Sequence, residues 1–95
     1  MPYYEGDLIR VSIKFLVNNI AADPTTVTLK WQAPGNIAVT WVFNTNFQVV
    51  KDSAGNYHAD LDVNISGMWQ FRWIGTGIAQ GTGQSSFEVL AANIK

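Results

Sequence analysis

Hydrophobic and polar residues alternate most regularly between Asp52 and Gly75, in two segments separated by Ser66-Gly67. Alternation with a period of two is typical of strands that have one buried side and one solvent-facing side. The residues expected to face inward are Tyr57, Ala59, Leu61, Val63 and Ile65 in the first segment and Trp69, Phe71 and Trp73 in the second. The stretch therefore predicts two strands that supply half of a two-sheet core.

The same alternation continues on both sides of this stretch. The further predicted strands, with their inward residues, are Asp7–Val17 (Ile9, Val11, Ile13, Phe15, Val17), Thr25–Trp31 (Val27, Leu29, Trp31), Ile37–Phe43 (Ile37, Val39, Trp41, Phe43), Phe47–Lys51 near a sheet edge, and Ser85–Leu90 (Phe87, Val89). Pro34-Gly35 suits a tight turn and predicts a hairpin between the second and third of these strands. The glycine-rich segment from Thr76 to Gln84 predicts a loop or a frayed hairpin tip. No segment has an apolar period of 3.6 residues, so no helix is predicted.

About seven strand signals in a chain of 95 residues predict one all-β domain, an antiparallel β-sandwich or a small barrel. All four tryptophans and all five phenylalanines are expected to face the core. The chain has no cysteine, so a disulfide framework is excluded. Residues 1–6 are expected to form an N-terminal arm and residues 91–95 a loose tail.

The charge distribution narrows the classes of partner. Six basic and seven acidic residues give a net charge of −1, and no basic stripe is present. A nucleic-acid partner is therefore not expected, because its phosphates need such a stripe. No apolar run approaches the 18 or so residues of a membrane span, and the first ten residues, MPYYEGDLIR, do not predict a signal peptide.

The residues considered for a catalytic or metal-binding site lie on the outward face of the segment that follows Tyr57. His58, Asp60 and Asp62 alternate there and could in principle hold a metal ion. Successive same-face residues of a strand lie about 6.5–7 Å apart, which is too wide for a compact site, so we interpret the three as a solvated strand face. No nucleophile elbow, carboxylate cleft or phosphate-binding glycine motif accompanies them. We therefore expect no enzymatic activity, no cofactor and no metal.

Several apolar side chains are left outside the predicted core. The candidate residues of a partner interface are Tyr3, Tyr4, Leu8, Leu16, Val42, Val50, Met68, Ile74, Leu90 and Ile94. A group of this size on a small domain indicates that part of the surface is covered by a partner, including further copies of the chain. Imperfect strand registers are the alternative explanation.

Four segments resemble small Ig-like proteins encoded in the structural gene clusters of tailed bacteriophages. These segments are GDLIRVSIKF, DPTTVTLKWQAPG, VVKDSAGNYHADLDVNISGMWQFRWIGTG and SSFEV, and together they cover nearly the whole chain. The Gly67–Trp69 step is similar to the Gly-x-Tyr start of the sixth strand in Ig-like folds, with Trp in place of Tyr. The resemblance implies an Ig-like sandwich without a disulfide, made in the host cytoplasm and assembled into a virion.

The resemblance implies a structural protein rather than a catalyst. The first expectation is a capsid decoration or cement protein that binds the major capsid protein, as a homo-oligomer, without contacting nucleic acid or membrane. A neck or tail accessory protein is one alternative. A carbohydrate-binding or adhesion module that attaches the particle to a cell surface is another, and it would need at least one solvent-facing aromatic ring for stacking on a sugar.

Overall fold

A computed structural model describes residues 3–77 and 81–91 of the chain, and these residues form strands, turns and connections without a helix. Seven strands are longer than two residues. The strands are β1 (Tyr3–Tyr4), β2 (Asp7–Lys14), β3 (Leu16–Val17), β4 (Ile20–Ala21), β5 (Thr26–Gln32), β6 (Val39–Val42), β7 (Val50–Ser53), β8 (Asn56–Val63), β9 (Gly67–Thr76) and β10 (Gly81–Leu90). The all-β prediction of about seven principal strands is confirmed.

The strands form two facing sheets with the order expected of an Ig-like sandwich. The larger sheet has the order β1-β10-β9-β5-β6 and the smaller one β2-β8-β7, while β3 and β4 form a separate short hairpin. Every pairing is antiparallel except that of β1 with β10. When the seven longer strands are lettered B, C, C′, D, E, F and G along the chain, the sheets become G-F-C-C′ and B-E-D, which is the Ig-like topology. The two most regular strands, β8 and β9, therefore lie in different sheets.

The core lies between the two sheets and is built from the residues that alternation placed inward. Apolar side chains that are almost fully buried include Ile9, Val11, Phe15, Val27, Leu29, Tyr57, Leu61, Val63, Trp69, Trp73 and Val89. Partly buried rings pack against this cluster, namely Trp31, Trp41, Phe43, Phe71 and Phe87. Because both sheets bury only one side, the period of two predicts these positions correctly.

Trp69 forms the corner where the chain passes from one sheet to the other. Its indole N–H donates a hydrogen bond to the carbonyl of Ile65, four residues upstream, at 3.0 Å. Its ring stacks between Trp31 and Phe87, with interplanar angles of 15° and 14°. Gly67 begins β9 with φ +127°, and a Cβ there would lie 2.8 Å from Cγ of Pro34. Tryptophan thus makes the backward hydrogen bond that tyrosine makes in the tyrosine corner of other Ig-like domains.

Three residues that were expected to face inward do not. Ile37 is 86% exposed, Phe47 is 89% exposed and Ile65 is 37% exposed. Each lies outside a strand: Ile37 in the turn before β6, Phe47 in the connection between β6 and β7, and Ile65 in the crossover from β8 to β9. Alternation assigns a face only where the backbone is extended, so these predictions were wrong at strand ends.

The glycine-rich segment and the predicted arm are more ordered than expected. β9 continues to Thr76 and β10 begins at Gly81, so most of the predicted loop pairs as a hairpin, and residues 78–80 lie outside the described residues. A Cβ on Gly75 would lie 2.5 Å from the ring of Phe15, so that glycine allows close packing of the two sheets. Tyr3 and Tyr4 of the predicted arm pair with the end of β10. Of the predicted tail, only Ala91 is described.

Three predicted strand boundaries also shift. The strand predicted over Asp7–Val17 is interrupted at Phe15, which separates β2 from β3. The short strand predicted at Phe47–Lys51 is found at Val50–Ser53, on the edge of the smaller sheet as expected. The strand predicted from Ile37 begins at Val39, where its pairing with Trp31 starts. The hairpin predicted around Pro34-Gly35 is confirmed, and Gly35 has φ +74°.

Candidate functional site

One end of the sandwich gathers most of the exposed apolar side chains. It is formed by β1, the starts of β2 and β9, the ends of β8 and β10, and the turn between β5 and β6, as the pairings Asp7–Val63 and Gly67–Val89 show. Of the ten large apolar residues exposed in the described part of the chain, six belong to this end: Tyr3, Tyr4, Leu8, Ile37, Ile65 and Met68. We call these six residues the apolar end.

The outer face of the larger sheet carries two residues of the apolar end, Tyr4 and Met68, and the exposed Glu88 lies opposite Met68. Tyr4 lies opposite Leu90 across β1 and β10, and Met68 lies one strand further in. Met68 is 52% exposed, and Leu90 is half-buried. Tyr3 faces the other side of the sheet, where its ring meets that of Phe87 edge-on with centroids 5.5 Å apart. The short strand β1 thus fixes two tyrosines at the apolar end.

The remaining residues of the predicted interface lie elsewhere. Leu16 is exposed on β3 at the opposite end of the sandwich, and Val50 is exposed on the outer face of the smaller sheet. Val42 and Ile74 are half-buried on the outer face of the larger sheet, where both flank Thr28. Ile94 lies outside the described residues. The structure therefore divides the predicted set into several surfaces, of which the apolar end is the largest.

A shallow polar depression of about 540 Å³ lies on the outer face of the larger sheet. Outward side chains from three adjacent strands line it: Lys30 and Gln32 from β5, Gln70 and Arg72 from β9, and Gln84 and Ser86 from β10. Lys30 lies directly opposite Arg72, and neither forms an ion pair with any described residue. Like charges placed opposite each other on adjacent strands destabilise a sheet, so the pairing of Lys30 with Arg72 does not stabilise the larger sheet.

Two of the three residues considered for a metal site, His58 and Asp60, pair with side chains of neighbouring strands. Asp60 binds the guanidinium of Arg10, with Nε 3.0 Å from Oδ1, and that contact lowers the pKa of Asp60 and raises the pKa of Arg10. Nδ1 of His58 lies 2.7 Å from a carboxylate oxygen of Asp52. His58 is only 8% exposed, so its interpretation as part of a solvated face was wrong. In the described ranges, no three His, Cys, Asp or Glu side chains come together as a metal site.

Asp23 is the acceptor of a hydrogen-bond cluster at the opposite end of the sandwich. Its carboxylate accepts from Nζ of Lys51 at 2.6 Å, from the backbone N–H of Gly55 at 2.8 Å and from the hydroxyl of Tyr57 at 2.9 Å. These donors, led by Lys51, lower the pKa of Asp23 to about 2. Burial, assisted by the Asp23 carboxylate, raises the pKa of Tyr57 to about 12. The cluster ties the turn between β7 and β8 to the connection before β5, which is a structural role.

Sequence reasoning did not identify two members of the apolar end or the polar depression. Ile37 and Ile65 were assigned inward because they continue the alternation of a strand beyond its end: Ile37 precedes the start of β6, and Ile65 follows the end of β8. The depression had a detectable signal in the sequence, since Lys30, Gln70 and Arg72 alternate with residues that were predicted to face inward. Their proximity depends on the pairing of β5 with β9, which the sequence pattern does not specify.

Comparisons with known proteins bear on the fold. No family model matches the sequence, and no curated protein matches it. Among solved structures, the chain is similar to a putative glycoside hydrolase from Bacteroides vulgatus, with a TM-score of 0.63 and 15% sequence identity. The similarity covers 98% of this chain and 17% of that protein, so the chain spans about a sixth of its length. At this identity the likeness shows a shared fold alone.

No helix occurs among the described residues, and accordingly none is long and apolar enough to cross a membrane. The sheet topology and the similarity to a solved structure show an all-β, Ig-like sandwich, and the chain has no cysteine and therefore no disulfide.

Proposed function

We propose that this protein is a non-catalytic Ig-like module that attaches to a larger protein assembly through its apolar end. The sequence resemblance described above points to a virion as the assembly and to the major capsid protein as the partner, which would make the module a capsid decoration or cement protein. The observation that carries the proposal is the concentration of six exposed, large apolar side chains at one end of the sandwich.

The physical argument rests on where these side chains lie rather than on their number alone. Single exposed apolar residues are normal on any protein surface, and a stable domain does not need them gathered together. A group of exposed apolar side chains at one end of a domain marks a site that a partner can cover. Complete burial of a Leu, Ile or Met side chain contributes about 1.5–3 kcal/mol, so covering this end would supply a substantial part of a binding free energy. A neck or tail protein could cover the same surface, and it remains the alternative partner.

The proposal can be tested with capsid shells of the particle whose genome encodes this chain, assembled without it. The purified protein should sediment with the shells and saturate at a fixed number of copies per shell. Met68→Lys places a charge in the centre of the apolar end and should weaken this binding about tenfold or more, since each 1.4 kcal/mol lost is a factor of ten. Ala54→Lys adds the same charge at the exposed β7–β8 turn, at the opposite end, and should bind like the wild type.

Two outcomes would contradict the proposal. If the wild-type chain stays in the supernatant at all shell concentrations, the capsid is not its partner. If Met68→Lys and Ala54→Lys bind equally well, the apolar end is not the docking surface. Circular dichroism and a thermal melt of each variant must first show an unchanged fold.

A second candidate function, carbohydrate binding, is favoured by the polar depression on the larger sheet. Its three glutamine amides and two unpaired cations could donate hydrogen bonds to hydroxyl or carboxylate groups of a glycan. It ranks second because the two rings that line it, Trp31 and Phe71, are half-buried and pack against the core, which leaves little ring surface for stacking on a sugar. A saturable change of tryptophan fluorescence during glycan titration, abolished by Arg72→Gln, would favour this function over the first.

A further inference from the structure

The last strand of the larger sheet presents a long open edge. β10 pairs with β9 from Gly81 to Val89, but on its other side β1 covers only Val89 and Leu90. The segment from Gly81 to Phe87 therefore has no strand beside it among the described residues. Unpaired strand edges are templates for pairing with another strand, and natural proteins normally protect them.

The backbone groups that this edge offers follow from strand geometry. The carbonyl of Leu90 accepts a hydrogen bond from the N–H of Glu5, so the backbone of Leu90 points toward the open side of β10. Successive residues of a strand point their N–H and C=O groups to opposite sides. Thr82, Gln84 and Ser86 must then direct their backbone groups away from β9 and toward the open edge. Among the described residues, the only partner of these groups is the hydroxyl of the neighbouring Ser85, which donates a long hydrogen bond of 3.5 Å to the carbonyl of Ser86.

The other sheet edges in the described part of the chain are protected in the usual ways. β6 and β7 have only four residues each. The N–H of Val42 on β6 is capped by the side chain of Asn46 at 2.9 Å. β2 carries Arg10 and Lys14, and β7 carries adjacent charges at Lys51 and Asp52. Short length and charge are the devices that prevent edge pairing.

The open segment of β10 has none of these devices. From residue 81 to residue 87 it reads GTGQSSF, with no charge and no proline. Three of its four inward positions, Gly81, Gly83 and Ser85, are small. Ile13 of the smaller sheet lies so close beneath Gly83 that a Cβ there would be 2.8 Å from its Cδ1 atom. Ile13 is half-buried, and a strand added beside β10 would cover it further.

We propose that this edge pairs with the same edge of a second copy of the chain, in antiparallel orientation about a two-fold axis at Gln84. This places Gln84 opposite its own counterpart and Thr82 opposite Ser86 of the other copy. The three outward-pointing residues of each copy then exchange about six backbone hydrogen bonds. The result is one continuous sheet through both copies, and the interface uses a surface different from the apolar end.

A second copy is the occupant that the chemistry of the edge favours. A two-fold interface must be complementary to itself, and a run of small, uncharged residues meets that condition without placing like charges in contact. Arg72 lies opposite Gln84 on the next strand, β9. In the dimer the Arg72 residues of the two copies are therefore separated by three strand spacings, about 14 Å. At that distance salt largely screens their repulsion. Glu88 lies beyond the paired residues.

Sedimentation velocity over a wide range of concentration tests this proposal, with Gln84→Pro as the disrupting variant. Proline at Gln84 removes a backbone N–H that β9 does not use and places a bulky ring at the edge, so the sandwich itself should persist. The matched control is Thr40→Pro, on the opposite edge of the same sheet. The N–H of Phe43 points toward β5, where it donates to the carbonyl of Val27. Thr40 lies three residues before Phe43, so by alternation its N–H points to the open side of β6, as the N–H of Gln84 points to the open side of β10. The wild type and Thr40→Pro should dimerise, and Gln84→Pro should weaken the dimer about tenfold or more.

Amide hydrogen exchange of the wild type gives an independent measurement of the same edge. The amides of Thr82, Gln84 and Ser86 should become protected as the concentration rises, while that of Thr40 should not. A wild type that stays monomeric at the highest concentrations would overturn the proposal. So would protection that does not depend on concentration, since that would show the edge to be covered by the chain itself. Equal weakening by the two proline variants, or by neither, would also refute it.

Discussion

Replacing Trp69 with phenylalanine should lower the free energy of unfolding by about 1.5–3.5 kcal/mol. The substitution removes the N–H that bonds to the carbonyl of Ile65, and a net hydrogen bond of this kind contributes about 0.5–1.5 kcal/mol. It also replaces an indole that is 1% exposed by a smaller ring between Trp31 and Phe87, which leaves a small cavity at a cost of about 1–2 kcal/mol. The sum is a large part of the stability of a domain of this size.

Trp73→Phe is the control that separates these two contributions. Trp73 lies on the same strand and the same face and is also 1% exposed, but its indole N–H has no hydrogen-bond partner among the described residues. The same change of ring at Trp73 therefore creates a similar cavity without losing a hydrogen bond, and it removes a buried unsatisfied donor. Trp69→Phe should be more destabilising than Trp73→Phe by about 1–3 kcal/mol.

Urea denaturation of the wild type and both variants measures the difference, with the change in far-ultraviolet circular dichroism as the signal. Equal slopes of the three curves would show that the variants unfold from the same compact state. If the two variants have equal midpoints, or if Trp73→Phe is the less stable, the hydrogen bond of Trp69 does not hold the corner and the explanation of the tryptophan at this position fails.

Two further predictions concern the packing between the sheets and the acid range. Gly75→Ala should destabilise the domain by about 1–3 kcal/mol because its Cβ would overlap the ring of Phe15. Gly81 lies opposite Gly75 on β10, and a Cβ there would be 3.6 Å from the same ring, so Gly81→Ala should be nearly neutral in urea melts. Equal effects of the two variants would contradict the close packing. The lowered pKa of Asp23 contributes stability above pH 4 that is lost as the pH falls from about 4 to about 2. Asp23→Asn should therefore be less stable at neutral pH and show a weaker loss of stability in that acid window, and an unchanged pH profile would refute this assignment.

Alternation along the sequence was sufficient to predict the core because each sheet buries one side. Tyr57, Leu61, Trp69 and Trp73 are buried as the pattern predicts. The pattern failed where the chain leaves a strand, as at Ile65, because a bend changes the direction of the side chain while the sequence continues to alternate. Strand ends depend on turns and on contacts with the other sheet, and a period of two records neither.

Strand pairing was beyond what the pattern could predict. β8 and β9 are adjacent in sequence, yet they lie in different sheets, and nothing in their alternation distinguishes this arrangement from a hairpin. Tyr4, Leu8 and Met68 were assigned outward from the sequence, but their meeting at one end follows from the direction of each strand in its sheet. The open edge of β10 likewise depends on which strands lie beside it.

The two proposed surfaces constrain each other geometrically. An antiparallel pairing at Gln84 reverses the strand direction between the copies, so the apolar ends of a dimer point in opposite directions. Only one of them can then rest on a given shell, and the other stays free to bind a second shell. If both proposals are right, the wild-type protein should link shells into clusters that scatter light, whereas Gln84→Pro should bind shells without linking them. Clusters that form equally with both proteins would show that docking does not require β10 pairing, and shell binding without clusters by a dimeric wild type would exclude the antiparallel geometry.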